Sequence, residues 1–304
     1  MKPFVSINNG FVDTVDFSPR IPSLWNEYER LSHEPLELGE YGLKQRLVTG
    51  VIAAFVFLGV LLLGGYAYAA LIAALAILGY HEFVRLNKID GFGSGIYVGY
   101  VAVLLFVILS DRIIPGFTIG HDQLIWTTML VFLALTVFLH SKTNLHKIAI
   151  LFVGVLYIGY GFHYMLVTRL MPEDGLLWSL FIYGCIWLTD SGAYFTGMLL
   201  GRHPLAPSIS PKKTIEGAIG GVVIAMLFAV SFVLLSGGPT DIGRAILLAA
   251  MIAVIGQIGD LIQSAYKRLQ GVKDSGTLLP GHGGVLDRVD SWLIVFPAIH
   301  LLGL

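Results

Sequence analysis

The chain has 304 residues, 56% hydrophobic and 13% charged, so its charged share is about half that of an average soluble domain. A formal net charge of −1 points to no partner, because the distribution of charge would carry that signal and the sum does not. One cysteine, Cys185, excludes an intrachain disulfide framework and any cysteine-based metal cluster.

Residues 1–42 read as a polar cytoplasmic extension. Pro3, Pro19, Pro22, Pro35 and seven acidic residues interrupt its first 40 positions, which contain no apolar run of signal-peptide type. A short amphipathic piece is expected around Leu24–Leu31. From there the chain is dominated by apolar runs near the roughly 20 residues that a helix needs to cross a bilayer. Nine spans are predicted, at 47–64, 66–80, 95–110, 123–140, 147–168, 176–200, 215–236, 242–262 and 288–304. Only Gly64 and Gly65 separate the first two, so these form either a tight hairpin or one broken helix. The fold class is therefore all-α, a polytopic membrane protein of about nine transmembrane helices. Residues 43–170 form its N-terminal and middle helices, and residues 171–304 form the region where chemistry concentrates. Gly217, Gly220 and Gly221 open the seventh span at a spacing that suits close helix packing.

With the N-terminus placed in the cytoplasm, sixteen of the 19 Lys and Arg residues fall on the inner side, leaving Arg112, Arg169 and Arg244 outside. The positive-inside rule expects that asymmetry. Two inner segments, 201–214 and 263–287, flank the hairpin of spans seven and eight and can meet on one face.

The carboxylates stand out first. Asp190 lies within span six, Asp260 near the inner end of span eight, and Asp287 and Asp290 at the start of the last span. Such groups are costly in a membrane and tend to face polar cavities; helix-end residues at the headgroup level, or structural ion pairs, are the plainer alternatives. Asp287 and Asp290 are three apart and share a helix face, while Asp260 reaches the same level. Carboxylates gathered at one level suit a hard divalent cation, and Mg²⁺ commonly takes one or two of them together with phosphate oxygens. From Ser291 only 14 residues remain, about 21 Å of helix, so the start of the last span is expected to lie recessed, where a lipid headgroup fits.

Lys212, Lys213, Lys267, Arg268, Lys273 and Arg288 surround these acids. Singly each is an ordinary inner-face anchor, but interleaved with carboxylates they suit a metal-bound polyphosphate. Gly281-His282-Gly283-Gly284 adds a stretch where backbone N–H groups can approach an anion. His282 could contact phosphate or act as an acid, though a lone histidine is more often a structural hydrogen bonder. The remaining histidines form no ligand-spaced pair.

Ser264-Ala-Tyr-Lys-Arg268, Lys273-Asp274 and Pro280-Gly-His-Gly-Gly-Val-Leu-Asp-Arg-Val-Asp290 together resemble the signature of the phosphatidate cytidylyltransferase (CDP-diacylglycerol synthase) family, over 27 residues. Tyr266 departs from the pattern, standing where the family usually has an aliphatic residue. Asp190-Ser-Gly-Ala-Tyr-Phe195 through Ser210-Pro-Lys-Lys-Thr-Ile-Glu-Gly217, and Gly259-Asp260-Leu261, are similar to it as well. The resemblance runs from about residue 43 to 304. It implies that CTP and phosphatidate give CDP-diacylglycerol and pyrophosphate with Mg²⁺, and it leaves room for a second, monovalent cation. It further implies a homodimer in the cytoplasmic membrane with the site open to the cytoplasm, and no nucleic-acid partner.

Carried onto this sequence, the metal ligands implied are Asp260, Asp287 and Asp290. Lys267 and Arg268 complete the catalytic set. Ser210, Lys212, Lys213, Thr214, Lys273, Asp274, His282, Gly283, Gly284 and Arg288 form the substrate-binding set. A phosphatidate oxygen is already anionic near neutral pH, so the obstacle is electrostatic, and a metal-assisted direct attack with no protein nucleophile is expected. The nearest alternative is a transferase acting on another membrane lipid. CDP-alcohol phosphotransferases fit less well, because their tandem Asp pattern is absent. A secondary transporter would place its charges at the midplane and show repeated halves, whereas here they collect at one end and no repeat is visible.

Overall fold

The computed structural model describes residues 39–89, 92–109, 113, 114, 116, 120–138, 144–276 and 283–303, with side chains from Thr49 onward. Contacts sort the chain into Met1–Lys44 and Gln45–Leu304. Of the first unit only the opening of a helix is described. The amphipathic stretch expected at Leu24–Leu31 and the side chain of His282 lie outside the described residues.

All nine apolar runs form helices: α1 (Gly39–Leu63), α2 (Gly65–Leu86), α3 (Gly93–Ile108), α4 (His121–Phe138), α5 (Leu145–Arg169), α6 (Gly175–Leu200), α7 (Ile215–Ser236), α8 (Ile242–Leu269) and α9 (Leu286–Leu301). Six of them, α2 and α4 to α8, are long and apolar enough to cross a membrane. Thr49–Leu63 within α1 and the whole of α3 are apolar but shorter, and α9 has 16 residues. Large apolar side chains such as Phe55, Leu63, Leu234 and Leu235 are more than half exposed, as expected where lipid replaces water around a bundle whose backbone bonds are satisfied internally. The chain is an all-helical, polytopic membrane protein apart from one short hairpin. Two helices outrun their apolar stretches: α2 continues to Leu86 and α8 to Leu269. Both extensions end with Arg or Lys in the last turn, where a positive charge complements the helix dipole.

Gly64 divides α1 from α2 with φ 66° and ψ −153°, a conformation that favours glycine. Across the break the rings of Phe57 on α1 and Tyr68 on α2 meet edge to face at 6.5 Å. Arg169 at the end of α5 fills the break, donating from Nε to Leu61 O at 2.7 Å and from Nη2 to Leu62 O at 3.2 Å. These are carbonyls that a helix end leaves unpaired.

The most extensive packing joins α6 to α7, then α7 to α8 and α8 to α9, while α5 packs on α2, α3 and α9. Small residues permit the closest approaches. A Cβ at Gly217 would lie 2.7 Å from Ala193 O, and one at Gly221 2.7 Å from Thr189 O, so the expected packing role of these glycines holds. Tyr68 and Tyr183 share a buried 2.9 Å hydrogen bond between α2 and α6, beside Phe57, Trp187 and Trp292.

The all-α expectation needs one addition. Segment 201–214 forms an antiparallel hairpin of β1 (Pro204–Ala206) and β2 (Ser210–Thr214), with Pro204 opposite Thr214 and Ala206 opposite Ser210. Prolines at 204, 207 and 211 forbid a continuing helix, and Ile209 N closes the turn onto Ala206 O at 3.1 Å. Glu216 holds the base of the hairpin by accepting Arg202 N, His203 N and His203 Nδ1 at 3.0, 3.2 and 2.5 Å.

Candidate active site

The site begins with helix ends. Thr214 caps α7, its hydroxyl accepting Gly217 N at 3.1 Å, so this residue of the expected substrate loop spends its side chain on the helix start. One residue earlier, Lys213 reaches across to α8 and forms an ion pair with Asp260 Oδ2. Ser264, one turn further along α8, donates to Asp260 Oδ1 at 3.2 Å. Arg268 donates from Nε to Ile209 O and from Nη1 to Val272 O, both at 3.3 Å, and so ties the turn of the hairpin to the end of α8. The two segments expected to meet on one face do meet.

Gly259 brings α9 onto α8. A Cβ there would stand 3.1 Å from Asp290 O and 3.2 Å from Ser291 Cα, while Ser291 Oγ donates to Gly256 O at 3.0 Å. Asp290 is thereby held beside Asp260, and α6 supplies Asp190. These three carboxylates lie within Coulombic range of one another. Asp190 is exposed, and Asp260 and Asp290 are half-buried, so the cluster is open to a ligand.

Asp287 is engaged differently. Its side chain is 7% exposed, and Oδ1 accepts Lys267 Nζ at 2.6 Å. Oδ2 accepts Ser275 N at 2.8 Å, Gly284 N at 2.9 Å and Ser275 Oγ at 3.0 Å. Asp287 stands ahead of the apolar run that begins at Trp292. Burial acts to raise it, but Lys267 and the N–H groups of Gly284 and Ser275 outweigh burial and hold the carboxyl below its ordinary value. Gly283, at φ 82°, passes so near that a Cβ would come within 2.6 Å of Asp287 Oδ2.

Lys212, Lys273, Asp274 and Arg288 are exposed, and Ser210 is half-buried at the start of β2. Sequence reasoning missed Glu82. It is 6% exposed on α2 and accepts Val285 N at 2.8 Å, Leu286 N at 2.9 Å and Ser275 Oγ at 3.0 Å. It fixes both the loop that holds Asp287 and the start of α9. The signal was present as a carboxylate near an apolar run. Ending the second span at residue 80 placed Glu82 in a loop, whereas α2 extends past it.

The donor set suits a hard cation: carboxylate oxygens only, in a group whose mutual repulsion a cation would relieve. Among the described residues no three His, Cys, Asp or Glu side chains close in tightly enough to hold an ion by themselves.

Carboxylates and lysines are thus paired where α8, α9 and the hairpin meet. The sequence profile of the cytidylyltransferase family matches residues 44–304. A phosphatidate cytidylyltransferase of Bacillus subtilis (strain 168) is 37% identical over 261 residues, covering 86% of this chain and 97% of the relative. Namesakes in Staphylococcus haemolyticus (strain JCSC1435) and Staphylococcus aureus (strain COL) are 35% and 33% identical, each covering 86% of this chain and 98% of the relative. The chain belongs to the cytidylyltransferase family and is a membrane-embedded nucleotidyltransferase.

Proposed function

We propose that this chain is the enzyme that joins CTP and phosphatidate into CDP-diacylglycerol and pyrophosphate, working at the cytoplasmic face of the cell membrane as a homodimer. A phosphatidate oxygen forms a bond to the α-phosphorus of CTP, and the bond from that phosphorus to the β-phosphate oxygen breaks. The observation that carries this reading is the pairing of Lys213 with Asp260 and of Lys267 with Asp287 around an open carboxylate cluster. Each lysine can pass from a carboxylate to a phosphate oxygen when substrate arrives, so the site is neutralised in both conditions.

Asp260 and Asp290 would hold Mg²⁺, with Asp190 beside them and Asp287 contributing Oδ1 in exchange with Lys267. When bound, the cation offsets charge on the triphosphate and on the departing pyrophosphate. The chain's own cations do the rest. Lys213 and Lys267 orient phosphates within the cleft, and Lys212, Lys273 and Arg288 draw the nucleotide in from its rim. Arg268 keeps the hairpin turn against α8, which sets the position of Lys213. No side chain needs to act as a nucleophile, because the attacking oxygen is already ionised.

Purified full-length chain supplied with CTP, phosphatidate and Mg²⁺ should release pyrophosphate and form CDP-diacylglycerol, while Asp260→Asn and Asp287→Asn should be severely slowed. Absence of product from the wild type, faster turnover of a different lipid in competition, or an unchanged rate in both variants would each defeat this reading.

A further inference from the structure

Between α2, α5 and α8 lies a cavity of about 480 Å³, within the size range of sites that enclose small molecules. Helices α5 and α8 do not pack along each other, and the cavity occupies the gap. Its walls include Phe83, Ile150, Val153 and Ile262. Val153 is 56% exposed and Ile262 48%, so these two sit at an opening on the apolar outer surface of the bundle.

The cavity also carries two orphaned donors. Gln263 is 2% exposed, yet its Nε2 has no hydrogen-bond partner, and the buried hydroxyl of Tyr157 has none either. Buried polar groups are normally paired, so two unpaired donors lining one cavity call for an acceptor. Both adjoin the carboxylate cluster: Tyr157 is within Coulombic range of Asp290, and Gln263 follows Asp260 by three positions on α8, about one turn away. At another part of the wall Tyr266 donates to Asn87 Oδ1 and stacks on Phe83 at 5.6 Å. The residue that departs from the family's usual aliphatic therefore stiffens the cavity.

Among the described residues the lining includes neither Lys nor Arg, which makes it a poor place for a triphosphate. A diacylglycerol moiety is complementary to it, offering apolar chains and ester carbonyls that only accept hydrogen bonds. We propose that the cavity takes the glycerol-ester part of the lipid substrate, with Gln263 Nε2 and the Tyr157 hydroxyl donating to its carbonyls, and that the lipid enters sideways between α5 and α8. This places the lipid's phosphate at the carboxylate cluster, and it rests on the phosphatidate reading above.

The test uses full-length chain in lipid nanodiscs, as wild type, Gln263→Leu, Tyr157→Phe and Val153→Trp. Each polar variant should raise the KM for phosphatidate about five-fold, the loss expected for one hydrogen bond. Val153→Trp, which plugs the opening, should raise it further, and the KM for CTP should stay within about two-fold throughout. Phosphatidate carrying a diazirine in its acyl chain should label α5 and α8 in the wild type, and Val153→Trp should lose that label, a readout that requires no turnover. Labelling elsewhere, an unchanged phosphatidate KM in all three variants, or a rise confined to CTP would overturn the proposal. So would conversion of dimer to monomer by Val153→Trp with the lipid KM unmoved, which would assign the face to a second copy. Failure of the wild type to turn over CTP with phosphatidate would count against the functional reading instead, and the labelling would still report on the cavity.

Discussion

Glu82, near the end of α2, accepts the backbone N–H of Leu286 at 2.9 Å across 204 positions of sequence. The same carboxylate takes Val285 N and Ser275 Oγ. It supplies partners to N–H groups at the start of α9 and places negative charge against the positive end of that helix. Glu82→Ala strands these buried donors at a cost of about 1–3 kcal/mol each, so a marked fall in Tm is expected. Glu82→Gln keeps one acceptor oxygen and should fall between. Thermal unfolding of both variants in detergent checks this, and an unchanged Tm for Glu82→Ala would remove the assigned role.

Lys213 is the cation that the hairpin delivers to Asp260. Lys213→Met should lower kcat/KM for CTP by about 100-fold, the scale for losing one charged contact to a reacting group. Because the pair is partly exposed, Tm should change little. A large Tm loss with normal kinetics would make the pair structural.

Asp190 was weighed in the sequence as a lone intramembrane carboxylate, and the fold brings it into range of Asp260 and Asp290. Asp190→Asn removes one negative charge from the cluster. The Mg²⁺ concentration for half-maximal rate should rise several-fold, with the KM for phosphatidate unmoved. A titration of rate against Mg²⁺ decides it, and an unshifted midpoint would exclude Asp190 from cation binding.

Gly217 lies where α6 and α7 nearly touch. Gly217→Ala sets a Cβ 2.7 Å from Ala193 O, and relieving that contact should cost about 1–3 kcal/mol, as overpacking commonly does. Since α7 follows directly from β2, the displaced helix should also shift Lys213 and slow turnover. Unfolding and rate measurements on one preparation should therefore fall together.

Arg169 caps α1 from the end of α5, whereas the carboxylates meet the start of α9. Arg169→Ala should lower stability by about 1–3 kcal/mol through the stranded carbonyls. Both KM values should stay at wild type in the fraction that remains folded. A selective change in either would place Arg169 in the substrate path.

The helices were legible because apolar length is a strong signal, and Gly64 was legible as a break because glycine between two apolar runs tolerates backbone that other residues resist. The carboxylate positions could be read because charge inside an apolar helix is costly and so rarely incidental. What escaped was pairing between distant elements. Nothing near Glu82 announces that its partners are N–H groups beyond residue 280, and nothing in Ser210–Thr214 announces a strand except the prolines around it. The individual use of Asp287, held by four donors, also depends on a loop path that local sequence leaves open. Gln263 falls at the start of the inner segment 263–287 and Tyr157 within the fifth predicted span, and only the empty space beside them gives their donors significance.

Helices α8 and α9 meet at Gly259 almost main chain to main chain. The separation between the acidic groups that follow, Asp260 and Asp290, is consequently governed by how two helix axes sit and only secondarily by rotamer choice. If these two groups hold the cation proposed above, a small ion demanding near-octahedral oxygens would suit that spacing, while a wider one such as Ca²⁺ would have to push two helices apart.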